Sequence, residues 1–187
     1  MNTNLVPSPV FRQLSVLLDT PDLADLGPQR RPGTLSLDEL QRRIDQMLDN
    51  TALPAHAQEL IRGTLLLWHD HLDAAHSIAQ EVEDADGSLL HAIMHRREPD
   101  YSNSKYWFRR AGKHPCYLVI AGRISALLGP ERKGLMSRLT RGGDWDPFAF
   151  VDHCQEAAQS GSKYAGKESL QEIQRIEFDS FLEYLCL

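Results

Sequence analysis

Residues 65–80 read LLLWHDHLDAAHSIAQ, and the fold class turns on how this run is folded. Its apolar positions do not alternate as a half-buried strand requires. Stepped at about 100° per residue, Leu67, Ala74, Ala75 and Ile78 gather on one arc, with Trp68 and Leu72 at its edge. On the other side His69, Asp73, His76 and Gln80 form a narrow polar stripe, with Arg62 one or two turns earlier, while His71 falls on the apolar arc. The spacing predicts one helix from about Ala55, with Pro54 in its first turn, to about Val82, and Gly63 as its weakest point.

Upstream, SLDELQRRIDQML carries a capping box, Ser36 followed three residues later by Glu39. Ser8 and Pro9 fit the start of a helix running towards Asp19. Between these helices TPDLADLGPQRRPGT, with three prolines and two glycines, predicts an extended surface arm over residues 20–35. Downstream, DADGSLL breaks the chain, with Ser88 as the expected cap of a helix that Pro99 ends at about Glu98. SNSKYWFRRAG reads as one or two helical turns beginning at Ser102 or Ser104 and closed by Gly112. HPCYLVIAGRISALLG, the most apolar run, reads as a core helix by its length, followed by loops around a short helix from Leu135 to Leu139. Pro147 opens a helix through FAFVDHCQEAAQ, and ESLQEIQRIEFDSFLEYLCL reads as a C-terminal helix docked into the core. Strand alternation is absent, so the sequence predicts an all-α, single compact multi-helix domain over residues 1–187 with a long irregular N-terminal connection.

The composition, 42% hydrophobic and 25% charged in 187 residues, suits one soluble globular domain. A formal charge of −6 argues against general nucleic-acid binding, which needs a strongly basic face. Cys116, Cys154 and Cys186 lack CxxC spacing and read as buried thiols in a reducing compartment. The opening residues lack a basic segment before an apolar one, and no apolar run reaches the roughly 18 residues of a membrane span. The expectation is a cytoplasmic protein without membrane contact, its oligomeric state unspecified.

Histidine carries the chemistry on offer. In the polar stripe His69 and His76 supply imidazoles, and Asp73 orients a ring or shares a cation. A solvated helix face explains the same spacing, and His71 reads as a hydrogen-bonded core histidine. His91 and His95 lie four apart with Glu98 three further on, a triplet within about 60° on a helix and a weak ligand set for zinc, iron or manganese. A divalent metal is not favoured, because Glu98 sits in a last turn before Pro99 and His69 or Asp73 must complete the sphere from a neighbouring helix. The same histidines, His91 included, serve equally as general bases. No serine elbow, P-loop or dinucleotide fingerprint accompanies them, so the nucleophile is water or a substrate group.

The following run, REPDYSNSKYWFRRAGKHP, mixes cations with aromatics. Asn103, Lys105, Tyr106, Trp107 and Arg109 are candidate ligand-binding residues, suited to a small polar or anionic molecule at a helix N-terminus. Against this, Trp107 and Phe108 can anchor the segment while the arginines pair with surface acids. In RGGDWDPF, a turn around a buried Trp145 is expected rather than a cation loop.

The blocks LLLWHDHLDAAHSIAQ and HAIMHRREPDYSNSKYWFRRAGKHP resemble a family of uncharacterised bacterial and fungal proteins with near-identical wording. The resemblance covers about Leu65 to Pro115. It implies that this block carries the function, and it assigns no activity and no catalytic role. Two readings follow: a hydrolase or isomerase of a small polar or anionic substrate, or a noncatalytic ligand-binding or interaction module with a structural histidine network. The histidine helices are expected to be antiparallel neighbours, with Lys105 or Arg109 facing their cleft.

Overall fold

Ser8 starts α1 (Pro9–Ser15) by accepting a hydrogen bond from the Phe11 N–H at 3.1 Å, and the chain tightens into a 3₁₀ turn over Val16–Leu18. The computed structural model describes residues 7–129, 133–161, 164 and 166–187. Ser36 caps α2 (Leu37–Leu48), but only half of the expected box forms, because the Glu39 carboxylate turns to Arg42 and Arg43.

The predicted helix from Ala55 to Val82 is two helices, α3 (Ala55–Trp68) and α4 (Leu72–Ala79). Gly63 is not the weak point. It is a close-approach site, where an added Cβ would lie 2.6 Å from Leu90 Cδ2 and 3.2 Å from Ile78 Cγ2. The break is at Asp70, which stands in the left-handed region at φ 66°. The His71 N–H bonds the Leu66 carbonyl and the Asp70 N–H bonds the Leu67 carbonyl, at 3.0 and 3.2 Å. This is the Schellman closure of a helix, with aspartate in the position that glycine usually fills. Asp70 is held there through its carboxylate: Oδ1 accepts from Arg97 Nη2 at 2.8 Å, and Oδ2 accepts from the Arg31 Nε and backbone N–H at 2.9 Å each.

The remaining helices are α5 (Ala85–Arg97), α6 (Tyr101–Ala111), α7 (Cys116–Leu128), α8 (Lys133–Leu139), α9 (Pro147–Ser160) and α10 (Lys167–Leu185). Asp84 caps α5 in place of Ser88, which is buried within its first turns. Asp100 caps α6, so that helix starts before either serine and runs three turns to Gly112. A two-residue antiparallel pair, β1 (Thr140–Arg141) with β2 (Asp144–Trp145), brackets the glycine turn. Trp145 is buried there and Asp146 caps α9. The fold is all-α. Among the described residues no helix is long and apolar enough to cross a membrane. The three cysteines are free and buried. Residues 1–6, 130–132, 162, 163 and 165 lie outside the described residues, and with them part of the loop expected before the short helix and of the connection after α9.

Residues 20–35 form no helix or strand, yet the arm buries Ala24, Leu26 and Arg31. Gln174 of α10 donates to the Ala24 and Asp25 carbonyls, and Arg31 reaches Asp70. A second buried ion pair, Arg96 with Glu177, ties α5 to α10, the guanidinium lying 4.5 Å from the Phe150 ring. These bonds fix α5 on both sides of its last turns, where the histidines stand.

Candidate functional site

On α5, His91 and His95 are one helical turn apart and stack with ring centroids 4.7 Å apart and planes 16° off parallel. His76, on α4, closes the group at 4.9 Å from His91 and 5.1 Å from His95. One ring nitrogen from each of the three lies within 4.8 Å of the others. From α6, Trp107 lies flat on His91 at 4.0 Å, and one turn earlier the Asn103 amide reaches His95 Nε2 at 3.0 Å. His95 Nδ1 faces Glu98 Oε2 at 3.2 Å. With Nδ1–H donating to Glu98, Nε2 keeps its lone pair and accepts from Asn103.

His91 is 4% exposed, and among the described residues neither of its nitrogens has a hydrogen-bond partner. Leaving a buried polar group unsatisfied costs about 1–3 kcal/mol, and a buried imidazole can be satisfied by either tautomer, so its isolation calls for a ligand. Burial, reinforced by His95 and His76, pushes the His91 pKa down to about 4. Burial also lowers that of His95, against the raising effect of Glu98. Both rings are therefore neutral, with lone pairs available, at neutral pH.

Glu98 also lines an open cleft of about 500 Å³ with Pro28, Asp70, Leu72 and Asp73. The carboxylates of Asp73 and Glu98 border this cleft, which the three histidines do not line, while Asp100 acts electrostatically on His95.

The helix break redistributes the predicted stripe. His69 does not join the cluster: it accepts from the Leu35 N–H at Nδ1, 3.2 Å, and its Nε2–H donates to the Leu17 carbonyl at 2.8 Å. His71 donates from Nε2 to the Leu35 carbonyl at 2.9 Å. The two histidines clamp residue 35 and fasten the end of the arm. Arg62 pairs with Asp45 and Glu59. Asp73 is exposed in the first turn of α4, at the cleft and outside the trio. Glu98 holds His95 from outside rather than joining His91 and His95 as a third ligand; His76 takes that place.

The cationic run divides likewise. Asn103 and Trp107 share the face of α6 turned to the histidines, and Arg110 extends it, its guanidinium 5.2 Å from the Trp107 ring. Lys105 and Arg109 do not face the cleft. About 180° and 140° round the helix from the midpoint of the face that Asn103 and Trp107 share, they turn to α9, where Lys105 pairs with Asp152 and Arg109 lies 5.8 Å from the Phe148 ring. Tyr106 is half exposed and meets Trp107 edge-on at 5.3 Å. Arg96 and Arg97 are fully buried in ion pairs. The sequence reading does not single out Arg110 as the partner of Trp107, which its three-residue spacing signals, or the burial of Asp70 between two arginines, which no local pattern signals.

The other histidines are engaged elsewhere. His114 bonds Asp86 at 2.8 Å and the Cys116 sulfur at 2.9 Å, and exposed His56 pairs with Asp84 at 2.8 Å. No protein-family profile, curated protein or solved structure matches this chain, so the reading of the site stands on its own geometry.

Proposed function

We propose that the chain is an enzyme of the hydrolase or isomerase class acting on a small polar substrate, with its active site at His76, His91, His95, Asn103 and Trp107. The observation that carries this reading is His91, whose two unpartnered nitrogens are buried among two further imidazoles and an indole. A purely structural histidine is expected to be hydrogen-bonded, as His69, His71 and His114 are.

His95 has the arrangement of a general base: its Nδ1–H is oriented by Glu98, which stabilises the imidazolium formed when Nε2 takes a proton. His91 supplies a hydrogen bond to a substrate hydroxyl or amine, and Trp107, stacked on His91, gives the site an apolar flank. No cysteine lies in the cluster, so the nucleophile is water or a substrate group. Glu98, bonded to His95, and Asp100, which acts on the same ring, favour a neutral or cationic substrate over the anionic one the cationic run implied, since Lys105 and Arg109 are drawn to α9.

The test is a panel of neutral and cationic ester, amide and glycoside substrates and of polyol isomerisations, with native mass spectrometry for retained small molecules. Turnover that falls at least about 100-fold in His95→Ala, as loss of a general base requires, and survives in Lys105→Ala supports the reading. Turnover indifferent to His91→Ala and His95→Ala sinks it.

A further inference from the structure

We propose that His76, His91 and His95 form a three-histidine centre for a divalent transition metal, zinc above all, with a fourth position left for water. The proposal rests on the cluster being the functional centre and adds the species that centre holds.

The donor set is the first argument. Three imidazoles suit zinc, copper, nickel or iron, and are poor ligands for calcium or magnesium, which take oxygen. Distance is the second. Metal–nitrogen bonds of about 2.0–2.1 Å in a tetrahedral site put ligand nitrogens about 3.3–3.4 Å apart. Nitrogens already within 4.8 Å of one another close that gap by modest ring rotation. His91 and His95 come from one rigid helix, and His76 comes from a helix packed against it.

The surroundings supply the rest. His91 is 4% exposed with both nitrogens unpartnered among the described residues, so a metal satisfies a group that no described atom satisfies. Glu98 accepts from His95 Nδ1, the carboxylate partner that fixes the tautomer and orientation of a metal-bound histidine. Asn103 must release His95 Nε2 for that nitrogen to coordinate, which frees its amide to bond a ligand on the metal. Trp107 covers one face of His91 and limits competing water. In this setting a metal-bound water takes over the role of base, and Glu98 orients a ligand instead of an acceptor of protons.

The experiment is titration of chelator-stripped, full-length protein with Zn²⁺, and with Co²⁺ for its tetrahedral absorption bands, followed by elemental analysis after dialysis. One equivalent is expected, with no uptake of Mg²⁺. His91→Ala combined with His95→Ala abolishes binding. His76→Asn, a milder change at a half-buried position, loses the tetrahedral cobalt spectrum while circular dichroism stays native. Glu98→Gln weakens affinity by about 10–100-fold, the usual effect of losing such a partner. Wild-type protein that retains no zinc, or His76→Asn and double variants that retain as much zinc as wild type, overturns the proposal. Metal-free protein with His95-dependent turnover defeats the metal centre and leaves the enzyme reading intact. Stoichiometric zinc without turnover of any substrate class defeats the enzyme reading and leaves the centre.

Discussion

Replacing Asp70 by asparagine isolates the charge at the α3–α4 break. Asparagine keeps the size, one acceptor oxygen and the tolerance for left-handed backbone that φ 66° demands. It removes the carboxylate bonded to both Arg31 and Arg97, side chains 7% and 0% exposed, and turns an amide towards an arginine donor. Removing one partner of a buried pair costs about 3–5 kcal/mol. Arg97 retains the Leu67 and Gly27 carbonyls, each at 3.1 Å, and Arg31 retains that of Asp22 at 2.6 Å, so the lower figure applies. With a urea m-value of about 2–3 kcal/mol/M, the unfolding midpoint falls by about 1–1.5 M. Burial works against ionisation of Asp70, but the hydrogen bonds from Arg97 and Arg31 outweigh it and hold its pKa below 3.8. Its contribution is therefore complete above that value and is lost as pH falls through the folded-state pKa. The variant lacks that part of the acid limb. A midpoint within about 0.2 M of wild type, roughly 0.5 kcal/mol at that m-value, refutes the argument that this carboxylate holds the break.

Gly87→Ala should destabilise by about 1–3 kcal/mol by overpacking, because the new Cβ meets the Val82 carbonyl oxygen at 2.2 Å; an unchanged melting temperature contradicts this. Burial holds His69 and His91 below the ordinary 6.5, His91 at about 4. Metal-free protein is therefore most stable above pH 6.5 and loses about 3 kcal/mol from His91 alone as pH falls towards 4, because the unfolded chain takes up the proton first. Urea midpoints that stay level between pH 7 and pH 4.5 in both wild type and His91→Ala would count against it. Lys105→Ala and Arg109→Ala should cost about 0–1 kcal/mol, as exposed ion pairs and ring contacts do, and leave zinc uptake unchanged. Loss of zinc in either variant would return those cations to the site.

The helices were legible where a local rule decides them: Ser8 and Ser36 at caps, Pro147 in a first turn, Gly112 after a last one. The break inside residues 55–82 was not, because aspartate occupies the left-handed position where glycine is the usual sign. What holds it, Arg31 and Arg97, lies 39 and 27 residues away in the chain. The pairing of His91 with His95 was readable from helical spacing. His76 was also identified, but in company with His69, which the break sends to a different environment. The burial of Arg96 and Arg97 in ion pairs was not legible, since sequence reveals a charge and not its burial or its partner.

Every side chain at the histidine centre belongs to one stretch, residues 76–107, folded as three consecutive helices with short turns between them. The braces that hold it are of another kind: Arg31 to Asp70, Arg96 to Glu177 and Gln174 to Ala24 join distant parts of the chain. Closing short loops is fast and entropically mild, while distant pairings come late. The order of assembly thus separates proximity from rigidity. On this ordering the histidines are expected to meet before α10 docks, and their geometry to be fixed once Glu177 pairs with Arg96. A nascent chain not yet released past residue 177 already holds the donors for a metal, but not the frame that keeps them in register.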